Sequence, residues 1–318
     1  MRNLKFIQSL VAGGNFGSVI FHDEFKESEH PRADNGEFGS GNVSAKQKSS
    51  AKFEAALANK SVSDKHNFLE AKADGISIPP AWTGVIYHGK EGKNGIIAQG
   101  KDGKGRSQRL EVSAFRDEKI AEKQKRIADN LTPKMPDITE KLREDAIKGN
   151  EAAKVLYLIT QTGFRIGGKG DGKSAVDAFG ASTLTGDHVK VDGNITTFSF
   201  PGKKGVAQNH IINDPVIARI FKNAKRGENV FSVNDAKVRE EWKKLGGEKV
   251  HDIRSYVATQ TAKESINSLN FPKPKSEKDV IHIKNEVAKI VARKLGNNPI
   301  EALKTYINPD VFKEIKWN

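Results

Sequence analysis

The sequence predicts an α+β protein, a small β-rich unit followed by a larger, mostly helical one. Three observations carry this. Between residues 85 and 112, short apolar runs alternate with Gly- and Lys-rich turns, the pattern of an antiparallel meander. Beyond about residue 138, apolar residues recur at helical spacing, interrupted by one strand-rich insertion. Before about residue 74 neither pattern is sustained, and the stretch from Phe21 to Ser49 carries too few apolar residues to fold alone. The expected organisation is a weakly structured extension over 1–74, a small β-rich domain over 75–130 and a mostly helical domain over 131–318.

In chain order, weak helical stretches are expected around Ala45–Asn59 and Ser63–Ala73, anchored by Phe53, Leu57 and Phe68. Ile78-Pro-Pro-Ala-Trp82 is a rigid, non-helical entry to the strand runs Val85–His88, Gly95–Gln99 and Gln108–Val112. The turn from Gly100 to Arg106 concentrates backbone amides and cations, and is expected along a phosphate backbone. A charged helix over Asp117–Asp129 leads to Leu131–Asp137, whose two prolines suggest a hinge. Glu151–Gln161 reads as an apolar helix stopped at Gly163, so that Arg165 emerges just beyond a buried helix end. His188–Val191 and Ile195–Phe200 read as a hairpin around Asp192-Gly193. The turn Pro201-Gly-Lys-Lys-Gly205 feeds a third strand through His210–Ile212. Helices follow at Asp214–Lys225, Asn234–Leu245 and His251–Ser268. Ser276 and Asp279 open another, with Val280, Ile283, Val287, Ile290 and Val291 as its core stripe, and Gly296 ends it. A last short helix lies between Asn298-Pro299 and Asn308-Pro309, with Ile300, Leu303 and Ile307 inward and Tyr306 at its edge.

The 318 residues include 53 Lys and Arg against 40 Asp and Glu, a formal charge of +13. That balance points to a polyanion, nucleic acid ahead of a membrane surface. No apolar run reaches membrane-spanning length and no secretory pattern opens the chain, so a cytoplasmic protein is expected. The absence of cysteine excludes disulfides, thiolate zinc sites and Cys nucleophiles. His22, His30, His66 and His251 form no metal-binding spacing, and the Gly-rich loop from Gly167 to Lys173 lacks the spacing of a nucleotide cradle. Neither a metal nor a nucleotide cofactor is expected.

Four residues stand in contexts suited to phosphodiester chemistry. Arg165 follows a rigid helix end, Lys203 stands at a turn tip, and Arg254 lies one turn into a helix. A phenol such as Tyr306 held against these cations is a nucleophile aimed at phosphorus. Arginine suits non-bridging oxygens because its planar fork holds two of them.

The segments IPPAWTGV, GIIAQGKDGKGRSQR, LITQTGFRIGG, STLTGDHV, FSFPGKKG, HDIRSY and LGNNPIEALKTYINP occur in this order. Together they resemble the type IB DNA topoisomerases of bacteria and poxviruses over roughly residues 74–318. The resemblance implies a monomeric clamp around duplex DNA that relaxes supercoils through a 3′-phosphotyrosyl intermediate, without ATP or metal. It implies that Tyr306 is the nucleophile, that Arg165 and Arg254 bind the phosphate and that Lys203 is the general acid. Asn297 stands nine residues before the tyrosine, where many members have histidine. His251 and Lys204 are further candidate DNA contacts in the larger domain, and Lys101, Lys104, Arg106, Arg109 and Trp82 in the smaller one. Gly168 replaces the family's usual Asn. His251 stands where topoisomerases commonly have Lys, and HDIR resembles the His-x-x-Arg of tyrosine recombinases. A recombinase, or a DNA-binding protein without catalysis, is the alternative. Outside the match, Glu29–Gly41 resembles a short motif of tailed-phage head-associated proteins, which implies a phage-related extension with possible virion association.

Overall fold

The computed structural model describes residues 54–167, 178–269 and 271–315. The phage-like motif, Gly168 and most of the loop from Gly167 to Lys173 lie outside them. Two compact units divide the chain between Glu122 and Lys123.

In the smaller unit, helix α1 (Val62–Ala73) precedes strands β1 (Thr83–Tyr87), β2 (Ile96–Lys101) and β3 (Ser107–Glu111). The strands form an antiparallel sheet in the order β1-β2-β3. The expectation of a weakly structured segment as far as residue 74 is corrected here, because α1 is built into this unit. Phe68 and Ala71 join Ile78, Trp82, Val85 and Ala98 in one core. Strand β1 is an edge, and its outward amides need partners. Asp64 accepts from Gly84 N at 3.2 Å and Val85 N at 2.6 Å, and Asn67 Oδ1 accepts from Tyr87 N at 2.8 Å. Two polar side chains one turn apart on α1 thus complete the sheet edge. Too few apolar residues mark this helix for its role to be seen in the sequence.

Helix α2 (Ser113–Arg126) runs across the unit boundary and continues through a wide turn (Ile127–Leu131) and a 3-10 turn (Thr132–Lys134) into α3 (Met135–Ile147). The expected hinge at Leu131–Asp137 is therefore helical and packed, with Met135 fully buried. Pro133 and Pro136 each sit in the first turn of a helical segment, where a missing N–H costs nothing.

The larger unit is organised around α4 (Glu151–Thr162), which is buried along almost its whole length. Asn150 caps its start, accepting from Ala153 N at 3.1 Å. Gly163 ends it at φ 69°, where a side chain would strain the backbone and its Cβ would displace Leu295 Cδ2, 2.6 Å away. The antiparallel strands β4 (Val189–Asp192), β5 (Ile195–Pro201) and β6 (Ala207–Asn213) form the sheet of this unit, close to the expected hairpin and third strand. Helices α5 (Pro215–Phe221), α6 (Asp235–Lys244), α7 (Val250–Ser268) and α8 (Glu277–Leu295) follow. Ile283, Val287 and Val291 are the buried stripe of α8, and Val280 and Ile290 flank it half-buried. The observed architecture is mixed α+β, two small sheets and a mostly helical region.

Candidate active site

The site is assembled from helix ends and turns held by this core. Phe164 packs edge-on against Phe198 and Phe200 of β5, with ring centroids 5.4 and 5.1 Å away. It anchors the segment after Gly163, and Arg165 projects from it. Lys203 is exposed on the 3-10 turn Lys203–Gly205 between β5 and β6. Helix α7 supplies His251 and Arg254 one turn apart.

The last short helix departs from expectation. Only Pro299–Glu301 is α-helical, and Ala302–Tyr306 forms a wider π turn that closes with Ile307 N donating to Ala302 O. A π turn rotates the following side chains relative to an α-helical stripe. Ile300, before the turn, is 63% exposed, while Ala302, Tyr306 and Ile307 are buried. Tyr306, expected at the edge, is 2% exposed.

Its hydroxyl is the meeting point of two groups. Arg165 Nη2 donates to Tyr306 Oη at 3.3 Å, and His251 Nε2 stands 3.2 Å from the same oxygen. A guanidinium only donates, so of these two groups the imidazole alone can accept the phenolic proton. The Arg254 guanidinium lies 5.2 Å from the tyrosine ring centroid and the Lys123 ammonium 5.5 Å from it.

Arg254 is itself buried, donating through Nη1 to Gly163 O and through Nη2 to Leu295 O at 3.0 Å, while its Nε has no partner. Burial lowers its pKa to about 10, which leaves it charged at neutral pH. His251 has its pKa lowered to about 4, first by desolvation and then by Arg254, Lys123 and Arg165. His251 is an exposed residue, so desolvation weighs less than full burial would, yet the three cations act in the same direction. A neutral imidazole follows at neutral pH.

Arg165, His251, Arg254 and Lys203 line one cleft of about 290 Å³. Arg239 of α6, which the sequence did not single out, lines it too. Asn297 follows the α8 cap and is half-buried, and neither atom of its side-chain amide has a hydrogen-bond partner. Nothing is described for the side chain of Lys204.

In the smaller unit, Lys101, Lys104, Arg106 and Arg109 are exposed on and beside the β2–β3 turn. The turn's chemistry is partly internal. Asp102 accepts from the amides of Lys104 and Arg106 at 2.9 and 3.0 Å, and from Arg106 Nε at 2.8 Å. The Arg106 hydrogen bond holds the Asp102 carboxyl down at about 2. Those two amides organise the turn from within. Trp82, expected to contact DNA, is instead a core residue at 7% exposure.

Among the described residues, no group of three His, Cys, Asp or Glu side chains could hold a metal ion, and no helix is long and apolar enough to cross a membrane. The family model for the eukaryotic DNA topoisomerase I catalytic core matches residues 111–315, well over half of the chain, and the chain belongs to that family. A DNA topoisomerase 1B of Acanthamoeba polyphaga mimivirus is 24% identical over 277 residues, which cover 76% of this chain and 81% of the viral protein.

Proposed function

We propose that the protein is a type IB DNA topoisomerase that relaxes supercoiled duplex DNA through a 3′-phosphotyrosyl intermediate on Tyr306. The observation that carries this reading is the hydroxyl of Tyr306 set between Arg165 and His251, two residues that line the cationic cleft.

The chemistry follows from those positions. Tyr306 Oη attacks the phosphorus and passes its proton to His251 Nε2. The bond to the 5′ oxygen breaks, and Lys203 Nζ gives that oxygen a proton. Arg165, the unpartnered Nε of Arg254 and the amide of Asn297 receive the negative charge growing on the non-bridging oxygens. Rotation of the cut duplex about the intact strand releases torsion, and the reverse reaction restores the phosphodiester. The phosphotyrosine conserves the bond energy, so the scheme calls for neither ATP nor a metal ion. Duplex DNA is held along its phosphates, with Lys101, Lys104 and Arg109 as contacts from the smaller unit.

Plasmid relaxation in excess EDTA without nucleotide tests the reading, together with mapping of the peptide trapped on a suicide duplex. The expected result is relaxation of both signs of supercoil and a 3′ adduct on Tyr306. A strict requirement for Mg²⁺ or ATP, or an adduct elsewhere, would overturn it.

A further inference from the structure

The π turn that carries Tyr306 leaves a specific problem. Its backbone turns extended at Ile307, so the carbonyls of Thr305 and Tyr306 have no helical partner. Both are satisfied from far away in the sequence. Lys123 Nζ donates to Thr305 O at 2.7 Å, and Gln124 Nε2 donates to Tyr306 O at 3.0 Å. Gln124 is 4% exposed, a costly place for an amide unless it has work there. The same turn of α2 is tied to the start of α7, where Arg126 Nη1 meets Asp252 Oδ2 at 2.7 Å and Glu248 Oε2 at 3.0 Å. Asp252 adjoins His251, so one helical turn contacts both the backbone of Tyr306 and the helix that carries its hydrogen-bond partner.

We propose that Lys123 and Gln124 are positioning residues for the nucleophile, fixing the peptide of Tyr306 so that its hydroxyl stays between Arg165 and His251. The inference rests on Tyr306 being the nucleophile. Both donors act on main-chain oxygens, so they hold the turn whatever the side chain of residue 305 or 306. Lys123 also stands over the ring face, which limits rotation of the phenol. A shift of about 1 Å at a reacting atom can cost on the order of 10²-fold in rate.

The test is single-turnover cleavage of a suicide duplex by the full chain, the Lys123→Met, Lys123→Arg and Gln124→Met variants, with duplex affinity and thermal melting measured alongside. The expected result is cleavage slowed about 10- to 100-fold in both Met variants, with affinity within about twofold of the parent. Lys123→Arg, which keeps a donor, should recover most of the rate. A 5′-bridging sulfur substrate should not rescue the Met variants, because alignment of the attacking oxygen limits them and not protonation of the leaving group. Met variants that cleave at the parent rate would overturn the inference, as would a rate loss in Lys123→Arg equal to that in Lys123→Met. A parent chain that forms no Tyr306 adduct would overturn the inference together with the functional reading, whereas a parent adduct with unaffected variants overturns the inference alone. Should Gln124→Met fail to fold, the Lys123 pair decides.

Discussion

Tyr306 and His251 are joined by a single polar contact, 3.2 Å from Oη to Nε2, between residues that stand on a π turn and on the first turn of a long helix. Their rings are tilted at 38° with centroids 5.4 Å apart, so the imidazole meets the phenol at its oxygen and along its edge. Around His251 stand Arg254 on its own helix, Lys123 on α2, Arg165 beyond α4 and Asp252 beside it. Desolvation first, and then three cations against one carboxylate, keep it neutral.

A proton-accepting His251 makes two pH predictions. Its pKa is lowered from 6.5 to about 4, so the unfolded chain binds the extra proton between those values. Stability from this group is therefore complete above pH 6.5 and is lost as pH falls toward 4. Cleavage at subsaturating duplex should likewise keep its rate well below pH 6.5. His251→Ala should slow cleavage about 10²–10⁴-fold with duplex binding retained. An acid limb above 6.5, or an unchanged rate in the variant, would remove His251 from proton transfer.

Tyr306→Phe should bind duplex DNA nearly as well as the parent, because phosphate contacts dominate such affinity. Its ring packing survives and its melting temperature should move little. No covalent adduct should form, since phenylalanine offers no oxygen. Gel-shift and denaturing-gel measurements on one suicide duplex separate the two properties.

Lys203→Ala should slow strand cleavage roughly 10²–10⁴-fold, the range for losing a positioned general acid. A 5′-bridging sulfur should restore the rate, because a thiolate leaves without a proton. Intact binding without rescue would assign the acid to another group of the cleft.

Arg165→Ala and Arg254→Ala should both lose about 10²–10³-fold in cleavage through the missing charge, yet differ in stability. Arg165 is half-buried and its loss should cost less than about 1 kcal/mol. Arg254 closes two buried carbonyls, and its loss should cost about 3 kcal/mol or more. Denaturant titration of the two variants distinguishes them.

Removing residues 1–53 should leave the melting transition of the smaller unit in place. Extending the deletion through residue 74 removes Phe68, which is 1% exposed, and the Asp64 and Asn67 bonds to β1. Loss of a buried phenylalanine alone costs about 3–5 kcal/mol, so the smaller unit should unfold. Proteolysis of the two truncated chains reads the difference directly.

Much of this was legible in sequence where local rules govern. The stop at Gly163, the caps of α8 and the hairpin around Asp192-Gly193 follow from short-range signals, and with them the placement of Arg165 and Lys203. The burial of Tyr306 was not, because an α-helical period assigns its side chain the wrong direction once the backbone widens to a π turn. Lys123 and Gln124 were invisible for another reason. They act on carbonyls 182 residues away, and nothing in a run of charged residues distinguishes a donor to a distant turn from a solvated side chain. Trp82 reads equally as a stacking platform or as core, and only packing decides.

The guanidinium of Arg254 bridges the last carbonyls of α4 and α8 while it faces the tyrosine. This shapes how such a chain could drift into a silent DNA-binding protein. On the proposed mechanism, mutations at Lys203 would slow cleavage and loss of the Tyr306 hydroxyl would end it, both leaving a sound fold, so selection on binding alone would not remove them. Arg254 has no such freedom, since its loss is felt first as misfolding. A descendant that had given up catalysis should therefore still carry this arginine, as a relic held in place by architecture after its chemistry had gone.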